Sequence, residues 1–380
     1  MRKTLALLSL VLVSGAGVAA AAATDEIPRT PNGKPDFTGR YDIRSLTPFE
    51  RRPERGEELV LSPEEAAEVE AAQVQRVLAG DADSSPDRPP PEKGAFIDSQ
   101  SYNYAWFDPG HTMFQIDGKY RTSILTNPQN GRMPPLTEEA QKNRGSLPRF
   151  IWMNDDGTAW WLESGDTPFD SPETMVLGVR CIYQPGASIP IRTISYNNLK
   201  TLVQTDDYLM IHIEWMHWTR VVRIDSEPVG RDPRHTRTIP SAPSSGARME
   251  HSPAAYRSYS GDSIGRWEGD TLVVETKNFR REAAPQMLHG RESAGVPRGA
   301  MKVVERFSPI DGQSLLYQFE VEDEEYTAPF GGEMPWPKTD QYNYEYACHE
   351  GNYSMLGQLR GARQLEKEWI DAGKPVKGGE

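Results

Sequence analysis

The hydrophobic pattern separates a helical segment near the N-terminus from a long β-rich region that ends in a second helix. From residue 95 onward, Val, Ile, Tyr, Trp and Phe form short runs that are broken by Gly, Pro, Asn and Asp. Such runs are typical of short strands joined by tight turns. The segments that this pattern predicts as strands are 37–43, 200–205, 208–215, 219–224, 265–267, 271–276, 302–307, 314–321 and 341–347.

The connections between these strands indicate the fold class. Asp206-Asp207 and Glu268-Gly269-Asp270 are short turns between strands that follow one another directly, and such hairpins place consecutive strands side by side. We therefore predict a mainly β protein, an antiparallel meander that forms a lipocalin-like barrel. A β-sandwich is the alternative. One N-terminal and one C-terminal helix complete the predicted fold.

Two segments carry helix signals. Ser62-Pro63-Glu64-Glu65 is a capping box with proline at the first helical position, and the preceding Leu61 can act as a hydrophobic staple. This helix is predicted to end near residue 80 and the second to cover 353–371. The predicted apolar stripe of the first helix consists of Ala66, Val69, Val74 and Leu78, and that of the second consists of Leu356, Leu359, Ala362 and Leu365.

The first residues have the composition of a secretory signal peptide. Arg2 and Lys3 precede an apolar run over 5–13, and Ala21-x-Ala23 is a cleavage pattern. An uncleaved membrane anchor is the alternative, although the apolar run is short for a bilayer. We therefore expect a periplasmic or secreted protein.

The chain is predicted to contain three parts. Residues 1–23 are the signal peptide, 24–94 an extended arm with the first helix and a Pro-rich linker, and 95–380 the β-rich core domain with the C-terminal helix. No later run approaches the roughly 18 apolar residues that a membrane-spanning helix needs. We therefore expect no membrane insertion of the mature chain.

Export makes a disulfide the expected state of the only two cysteines, Cys181 and Cys348. Two buried free thiols are the alternative. Two cysteines also exclude a disulfide-rich scaffold and a four-thiolate zinc site.

Charge and motifs exclude further classes of function. The chain has 380 residues, 42 of them basic and 55 acidic, and a formal net charge of −13. Without a block of Lys and Arg it is a poor nucleic-acid binder. The sequence lacks the phosphate-loop, dinucleotide-binding, serine-hydrolase and zinc-protease motifs. We therefore expect no cofactor, and a small molecule as the partner.

The histidines show no strong metal spacing. His212 and His217 are five residues apart on strand-like sequence, so regular alternation puts them on opposite faces. His212 shares a face with Glu214, opposite an apolar face that belongs to the core. That polar face meets either solvent or a wet cavity. We predict no metal, and a site of His212, Glu214 and another histidine is the weaker alternative.

The segment 346–353 is the densest polar cluster in the sequence. If Cys348 is tied down, His349 is held beside Glu350, and a histidine next to a carboxylate can act as general acid or base near neutral pH. Asn352 could donate a hydrogen bond to a developing oxyanion. The alternative is structural, with Asn352 capping the C-terminal helix.

A second candidate is Glu214-x-x-His217-x-x-Arg220, which places an acid, a base and a guanidinium around a corner between strands. Arg220 or Arg180 could clamp an anionic group. A surface ion-pair cluster is the alternative. Further candidates for substrate contact at a cavity mouth are Tyr102, Asn103, Trp106, Tyr196 and Asn197.

These segments also carry a resemblance. The chain resembles a large uncharacterised family of exported bacterial proteins, with its Arg-Trp-Glu-Gly-Asp-Thr-Leu-Val-Val and Tyr-Ala-Cys-His-Glu-Gly-Asn-Tyr motifs. The resemblance implies export and a β-rich architecture, and it implies no reaction. The segments that carry it are 28–36, 121–123, 131–137, 178–181, 196–198, 266–276, 304–307 and 345–353.

Three functions are compatible with these features. The first is a cofactor-independent enzyme, a lyase, isomerase or hydrolase that uses general acid/base chemistry on a small aromatic or glycosidic molecule. In it, His349 or His217 would exchange protons, Glu350 or Glu214 would be the partner, and Arg180 or Arg220 the anion clamp. The second is a lipocalin-like carrier of a hydrophobic small molecule. The third is an envelope interaction protein.

Overall fold

The computed structural model describes residues 26–80, 87, 108–145, 157–165, 167–175, 178–182, 189–225, 249–280 and 301–377. Within these ranges there are thirteen strands and four α-helices. The strands are β1 (Gly39–Asp42), β2 (Val60–Leu61), β3 (Gln115–Ile116), β4 (Lys119–Arg121), β5 (Leu125–Asn127), β6 (Leu199–Gln204), β7 (Tyr208–Ile213), β8 (Trp218–Ile224), β9 (Asp262–Glu268), β10 (Thr271–Lys277), β11 (Lys302–Pro309), β12 (Ser314–Glu322) and β13 (Phe330–Pro337). The helices are α1 (Pro63–Gly80), α2 (Glu138–Gly145), α3 (Trp160–Ser164) and α4 (Tyr353–Asp371).

Ten strands form one curled sheet, a half-barrel, in the order β1-β6-β7-β8-β9-β10-β11-β12-β13-β5. An isolated bridge joins Tyr41 of β1 to Lys338 just after β13, and the Thr339 amide donates to the Arg40 carbonyl over 2.9 Å. The curled sheet thus brings its first strand against the end of β13. The mainly β, barrel-like prediction is confirmed, and the large sheet is not split into the two layers of a sandwich.

One pair departs from the predicted antiparallel meander. β8 and β9 are parallel, with Val222 opposite Ser263 and Ile224 opposite Gly265. The other neighbours in the ten-stranded sheet are antiparallel. The reason is the long connection between β8 and β9, which returns the chain to the end of the sheet where β8 began.

One predicted strand is absent, and five strands were not predicted, of which the short β2, β3, β4 and β5 have two or three residues each and β13 has eight. The segment 341–347 forms no strand, and β13 takes the place beside β12 instead. Two glycines and two prolines in β13 hide its strand pattern, but a Cβ at Gly332 would collide with the carbonyl oxygen of Ile124. Glycine is needed there because the neighbouring backbone comes too close for a side chain.

Alternating side chains of the sheet fill the inside of the half-barrel. β7 shows the pattern most clearly, with every second residue buried. Each large side chain buried in this way contributes about 1.5–3 kcal/mol. The core side chains with less than 2% exposure include Tyr41, Leu202, Ile211, Val274, Phe307, Tyr317 and Trp336.

Helix α1 has the predicted start and end. The Ser62 amide donates to Glu65 over 2.9 Å and the Glu65 amide to Ser62 Oγ over 3.2 Å, so the capping box is formed. Leu61 packs with Ala66, as a hydrophobic staple does. The predicted stripe is wrong in its second half, because Leu78 is 62% exposed.

Helix α4 packs against α3 in a small cluster that is separate from the core of the sheet. Ala362 and Trp369 are buried against Trp161 of α3, and Leu365 packs at the edge. The Trp161 indole donates to Glu366 over 2.8 Å. The predicted contact face is wrong at Leu356, which is 51% exposed.

Candidate functional site

The corner between β7 and β8 contains two consecutive non-glycine residues in the left-handed region. Met216 has φ 60° and His217 has φ 50°. Each such residue costs roughly 1–2 kcal/mol, and strain of this kind is concentrated at functional sites. The short turn Trp215–His217 that contains them interrupts the strand alternation.

This turn brings two histidines together. The rings of His212 and His217 are stacked with centroids 6.3 Å apart and planes 14° from parallel. The expectation that alternation puts them on opposite faces is wrong, because the left-handed turn between them changes the side to which His217 points. The pair lies on the outer face of the sheet, where His212 is half-buried and His217 exposed.

Thr219 is the hydrogen-bond partner of His212 Nδ1. His212 Nδ1 and Thr219 Oγ1 are 2.8 Å apart, and the Thr219 hydroxyl donates to the His217 carbonyl over 3.4 Å. When the hydroxyl proton is used for the His217 carbonyl, Oγ1 accepts from His212 Nδ1–H. His212 Nε2 is then a free lone pair, with no hydrogen bond to the described residues.

A backbone amide fixes His217 in a complementary way. The Tyr346 amide donates to His217 Nε2. The proton of neutral His217 therefore lies on Nδ1. The stacked pair thus presents a lone pair on His212 that can act as a base, and an N–H on neutral His217 that can donate a hydrogen bond to developing negative charge.

The environment of His212 keeps its ring neutral. Burial lowers the pKa of His212, and positive charge on His217 and Lys200 lowers it further. The ring is therefore available as a base at neutral pH.

The segment 339–347, which we call the strap, crosses the sheet beside the histidine pair. Thr201 Oγ1 donates to Asn343 Oδ1 over 3.1 Å, and the Tyr344 amide donates to Glu214 Oε1 over 3.4 Å. The amide that binds His217 belongs to the same segment. The strap therefore positions the site through its backbone.

A disulfide follows the strap directly. Cys181 and Cys348 lie at disulfide distance, with sulfur atoms 1.94 Å and Cα atoms 5.8 Å apart. This agrees with the predicted bridge. The bond anchors the end of the strap that carries the amide of Tyr346.

Glu214 is predicted as a catalytic group. The residue is buried, with 5% of its surface exposed. Oε2 accepts from the Leu199 amide over 3.2 Å, while Oε1 accepts from the strap. Both oxygens are thus bound to backbone amides. This geometry favours a structural role for Glu214, which holds the corner in position, over proton transfer to a substrate.

The predicted pair in the segment before α4 lies apart from this corner. His349 and Glu350 are exposed, and the described residues show no hydrogen bond from either side chain to Glu214 or His217. Asn352 Oδ1 accepts from the Met355 amide over 3.4 Å, and its Nδ2 donates to the Val179 carbonyl over 2.7 Å. Asn352 thus caps α4, as the structural alternative proposes.

The two arginine candidates already have protein partners. Arg220 points into the half-barrel, where Nη1 and Nη2 bind Glu305 over 2.5 and 2.8 Å. Both side chains are at most 2% exposed, so the surface ion-pair alternative is wrong for Arg220. Arg180 Nη1 donates to the Glu173 carbonyl over 3.1 Å.

Aromatic and apolar side chains surround the corner. Tyr196 and Trp215 have ring centroids 5.6 Å apart, and the Trp215 indole donates to the Tyr346 hydroxyl over 3.2 Å. Asn197, in the turn before β6, has φ 57°. The candidates Tyr102, Asn103 and Trp106 lie outside the described residues.

The outer sheet face next to His212 is apolar. One cross-strand row is Thr201, His212 and Thr219, and the next is Val203, Met210 and Val221. Two residues along a strand span about 7 Å. Val203 is 42% exposed and Val221 53% exposed. The row of Val203, Met210 and Val221, which we call the apolar floor, is therefore an accessible apolar surface about 7 Å from His212.

Sequence reasoning considered His212 only as a ligand of the alternative metal site, and it did not consider Thr219. The predicted strands 208–215 and 219–224 already place these two residues near the same corner. The missing information was the left-handed turn, because Met216 is not a residue type that signals one, although histidine is enriched at positive φ.

The described residues contain no group of three or more His, Cys, Asp and Glu side chains that could hold a metal ion. Across the same ranges, none of the helices combines the length and the apolar character needed to cross a membrane. Comparison of the chain with protein-family models, curated proteins and solved structures yields no match.

Proposed function

We propose that the protein is an exported, cofactor-independent enzyme that uses general acid/base chemistry on a small aromatic or glycosidic molecule. His212 Nε2 removes a proton, and the Nδ1–H of neutral His217 donates a hydrogen bond to negative charge that develops on the substrate. The observation that carries this proposal is the stacked pair of rings, with His212 Nδ1 bound to Thr219 and His217 Nε2 accepting from the Tyr346 amide. A base beside a hydrogen-bond donor suits lyase, isomerase and hydrolase reactions.

The surroundings of the pair support the substrate class. The apolar floor of Val203, Met210 and Val221 can hold the flat face of a ring about 7 Å from the base. Export is part of the proposal. The signal-like segment 1–23 and the disulfide-distance pair of cysteines support a periplasmic or secreted location.

A lipocalin-like carrier is the weaker candidate. A carrier of that kind needs an open interior, whereas the half-barrel encloses Phe307, Tyr317 and Trp336 without exposure and the Arg220–Glu305 ion pair. The packed interior favours a site on the outer face of the sheet.

The test is turnover followed by mass spectrometry. The purified mature protein is incubated with a pooled library of plant phenolics, glycosides, terpenoids and steroids, in parallel with His212→Gln and His217→Gln. Either substitution should slow consumption of the substrate on the order of 100-fold. His111→Gln, at an exposed histidine, is the matched control, and His349→Ala tests the other predicted histidine.

The outcomes separate the candidates. Loss of turnover in both His212 and His217 variants, with His111→Gln unchanged, supports the proposal. Retention of a compound without conversion favours the carrier. Turnover that depends on His349 alone, or no consumption of any compound, contradicts the assignment of the stacked pair.

A further inference from the structure

Two neighbouring tyrosines of the strap are mostly exposed. Tyr342 is 67% exposed and Tyr344 is 74% exposed. Asn343 between them faces the sheet, because its Oδ1 accepts a hydrogen bond from Thr201 Oγ1 of β6 over 3.1 Å. The two large rings therefore lie on the solvent side of the strap, where packing of the core does not explain them. Grouped aromatic side chains on a surface are typical of binding sites.

The strap keeps both rings in place. At its start the Thr339 amide donates to the Arg40 carbonyl over 2.9 Å, and at its end the chain enters the disulfide. Between these points the Tyr344 amide donates to Glu214 Oε1 over 3.4 Å. The tyrosines thus belong to a segment that is fixed at several positions. A ligand on this surface would need little ordering of the protein, which favours binding.

Arg40 adds hydrogen-bond donors beside the first ring. Its guanidinium carbon lies 3.9 Å from the centre of the Tyr342 ring, in a cation–π contact that orients the ring and covers one of its faces. The Arg40 side chain is half-buried and forms no hydrogen bond or ion pair with the described residues. Its N–H groups are therefore available to a ligand that lies on the open face of Tyr342.

Aromatic faces next to hydrogen-bond donors suit sugar rings. One face of a pyranose presents C–H groups that pack on an aromatic ring, while the hydroxyl groups at its rim exchange hydrogen bonds. Two residues of a chain span at most about 7 Å, so successive sugars of one chain can rest on the two tyrosines. The exposed carboxylates of Asp340 and Glu345 flank this surface, and they disfavour a polyanion or an anionic membrane.

We propose that the outer surface of the strap, formed by Tyr342, Tyr344 and Arg40, is a binding site for a neutral glycan chain. Such binding goes beyond the proposed function, because it needs no proton transfer. Tyr344 lies two residues before Tyr346, whose amide donates to His217. The glycan chain would therefore lie beside the histidine pair.

The test is a titration of the full mature protein with three neutral hexasaccharides, cellohexaose, xylohexaose and maltohexaose. Amide NMR shifts over 339–347 report contact with the strap, and their concentration dependence gives the Kd. We expect at least one hexasaccharide to bind with a Kd below about 1 mM. Hexagalacturonate, a polyanion of the same length, should bind at least about tenfold more weakly, because like charges repel.

Substitutions on the strap test the contact itself. Tyr342→Ala and Tyr344→Ala should each weaken binding about three- to tenfold, because each removes one stacking surface. Tyr342→Phe and Tyr344→Phe keep the rings and should stay within about twofold of the unsubstituted protein. Tyr256→Ala, at a 73% exposed tyrosine before β9, is the matched control. The unfolding midpoint should stay unchanged in all these variants, because the side chains are exposed.

Three results would overturn the glycan site. The first is the absence of binding by all three hexasaccharides at about 10 mM. The second is binding that both alanine variants leave unchanged. The third is a dimer in sedimentation that the alanine variants dissociate, because this surface would then join two copies of the chain. Strap shifts that are lost in the alanine variants and kept in the phenylalanine variants support the site.

Glycan binding and turnover are read separately. His212→Gln should lose turnover and keep glycan binding. Binding without consumption of any library compound supports the glycan site and contradicts the proposed enzyme. Turnover of a library compound without binding of any hexasaccharide overturns the glycan site and leaves the acid/base proposal standing.

Discussion

Arg220 and Glu305 form a buried ion pair in which each residue depends on the other. Tyr317 extends the network, because its hydroxyl donates to Glu305 Oε1 over 2.8 Å and accepts from the Ile191 amide over 2.9 Å. Breaking one side of a buried pair leaves an uncompensated charge, which is strongly destabilising. At the residue scale, this pair fixes the side of β8 that faces the core, and so directs Thr219 to the outside.

Replacing the acid tests this dependence. Glu305→Gln keeps the shape but leaves the Arg220 charge without a partner, and it should lower the free energy of unfolding by about 3–5 kcal/mol. Denaturant unfolding measures the change, with Glu320→Gln, at an exposed position of β12, as control. A loss below about 1 kcal/mol would mean that the pair is not buried as described.

A second cluster gives a pH dependence. Asp262 is bound by the Arg223 guanidinium over 2.8 Å, by the Ser252 amide over 2.9 Å and by His251 over 3.0 Å. Burial alone would raise the pKa of Asp262, but these partners outweigh it and the pKa lies below the ordinary value of 3.8. The ionised carboxylate therefore stabilises the fold above the unfolded pKa, and this stabilisation is lost as pH falls through the lower folded pKa.

Asp262→Asn should accordingly destabilise the protein by about 1–3 kcal/mol at neutral pH. The difference from the unsubstituted protein should shrink below about pH 4. Thermal unfolding from pH 7 to pH 3 gives the curve, with exposed Asp340→Asn as control. A difference that grows on acidification would reverse the assigned sign.

At the scale of elements, the strap is held at one end by the disulfide and at the other by the bridge between Tyr41 and Lys338. Between these points its amides bind Glu214 and His217. The strap is thus an irregular segment whose backbone hydrogen bonds organise the site. Its alternating tyrosines predict a strand, but Tyr342 and Tyr344 project outward, 67% and 74% exposed.

Removing the disulfide should affect stability and the site together. The two cysteines are 167 residues apart, and on the chain-entropy model a bridge of that span contributes about 5 kcal/mol. The double variant Cys181→Ser, Cys348→Ser should lose most of this stabilisation, as measured by denaturant unfolding. The double substitution should also weaken the hydrogen bond from the Tyr346 amide to His217, which NMR would detect as a changed nitrogen chemical shift of the His217 side chain. If the unfolding midpoint and the shift both stay unchanged, the anchoring is wrong.

The elements that sequence predicts well are those with regular alternation, such as β7 and β12, and the helix whose capping signals are local. Strand β13 is not predicted because its glycines and prolines hide the alternating pattern. The glycines are needed for its close contacts with β5 and β12. The parallel pairing of β8 and β9 is not predicted because the sequence of a long connection does not show in which direction the next strand runs. The candidate corner at Glu214 and His217 follows from the spacing of polar residues, but the partnership with His212 depends on backbone dihedrals.

At the scale of the whole molecule, the curled sheet has a packed inside, and the proposed site lies on its outside. The described core forms one large cluster along the inner faces of the sheet. The histidine pair, the apolar floor and the strap lie on the outer face around β6, β7 and β8. The N-terminal arm reinforces the opposite end, where Arg29 binds Asp270 over 2.7 and 2.9 Å and Phe37 packs on Trp267.

The measurement that tests the central claim most directly is the protonation state of the two stacked histidines. Long-range proton–nitrogen NMR of the mature protein near pH 7.5 distinguishes Nδ1–H from Nε2–H in each ring, with signals assigned through His212→Gln and His217→Gln. We predict Nδ1–H in both rings, and a change of His212 alone in Thr219→Val, with Thr112→Val, at an exposed threonine away from the corner, as the control. An Nε2 proton on either ring of the unsubstituted protein would contradict the acid/base assignment.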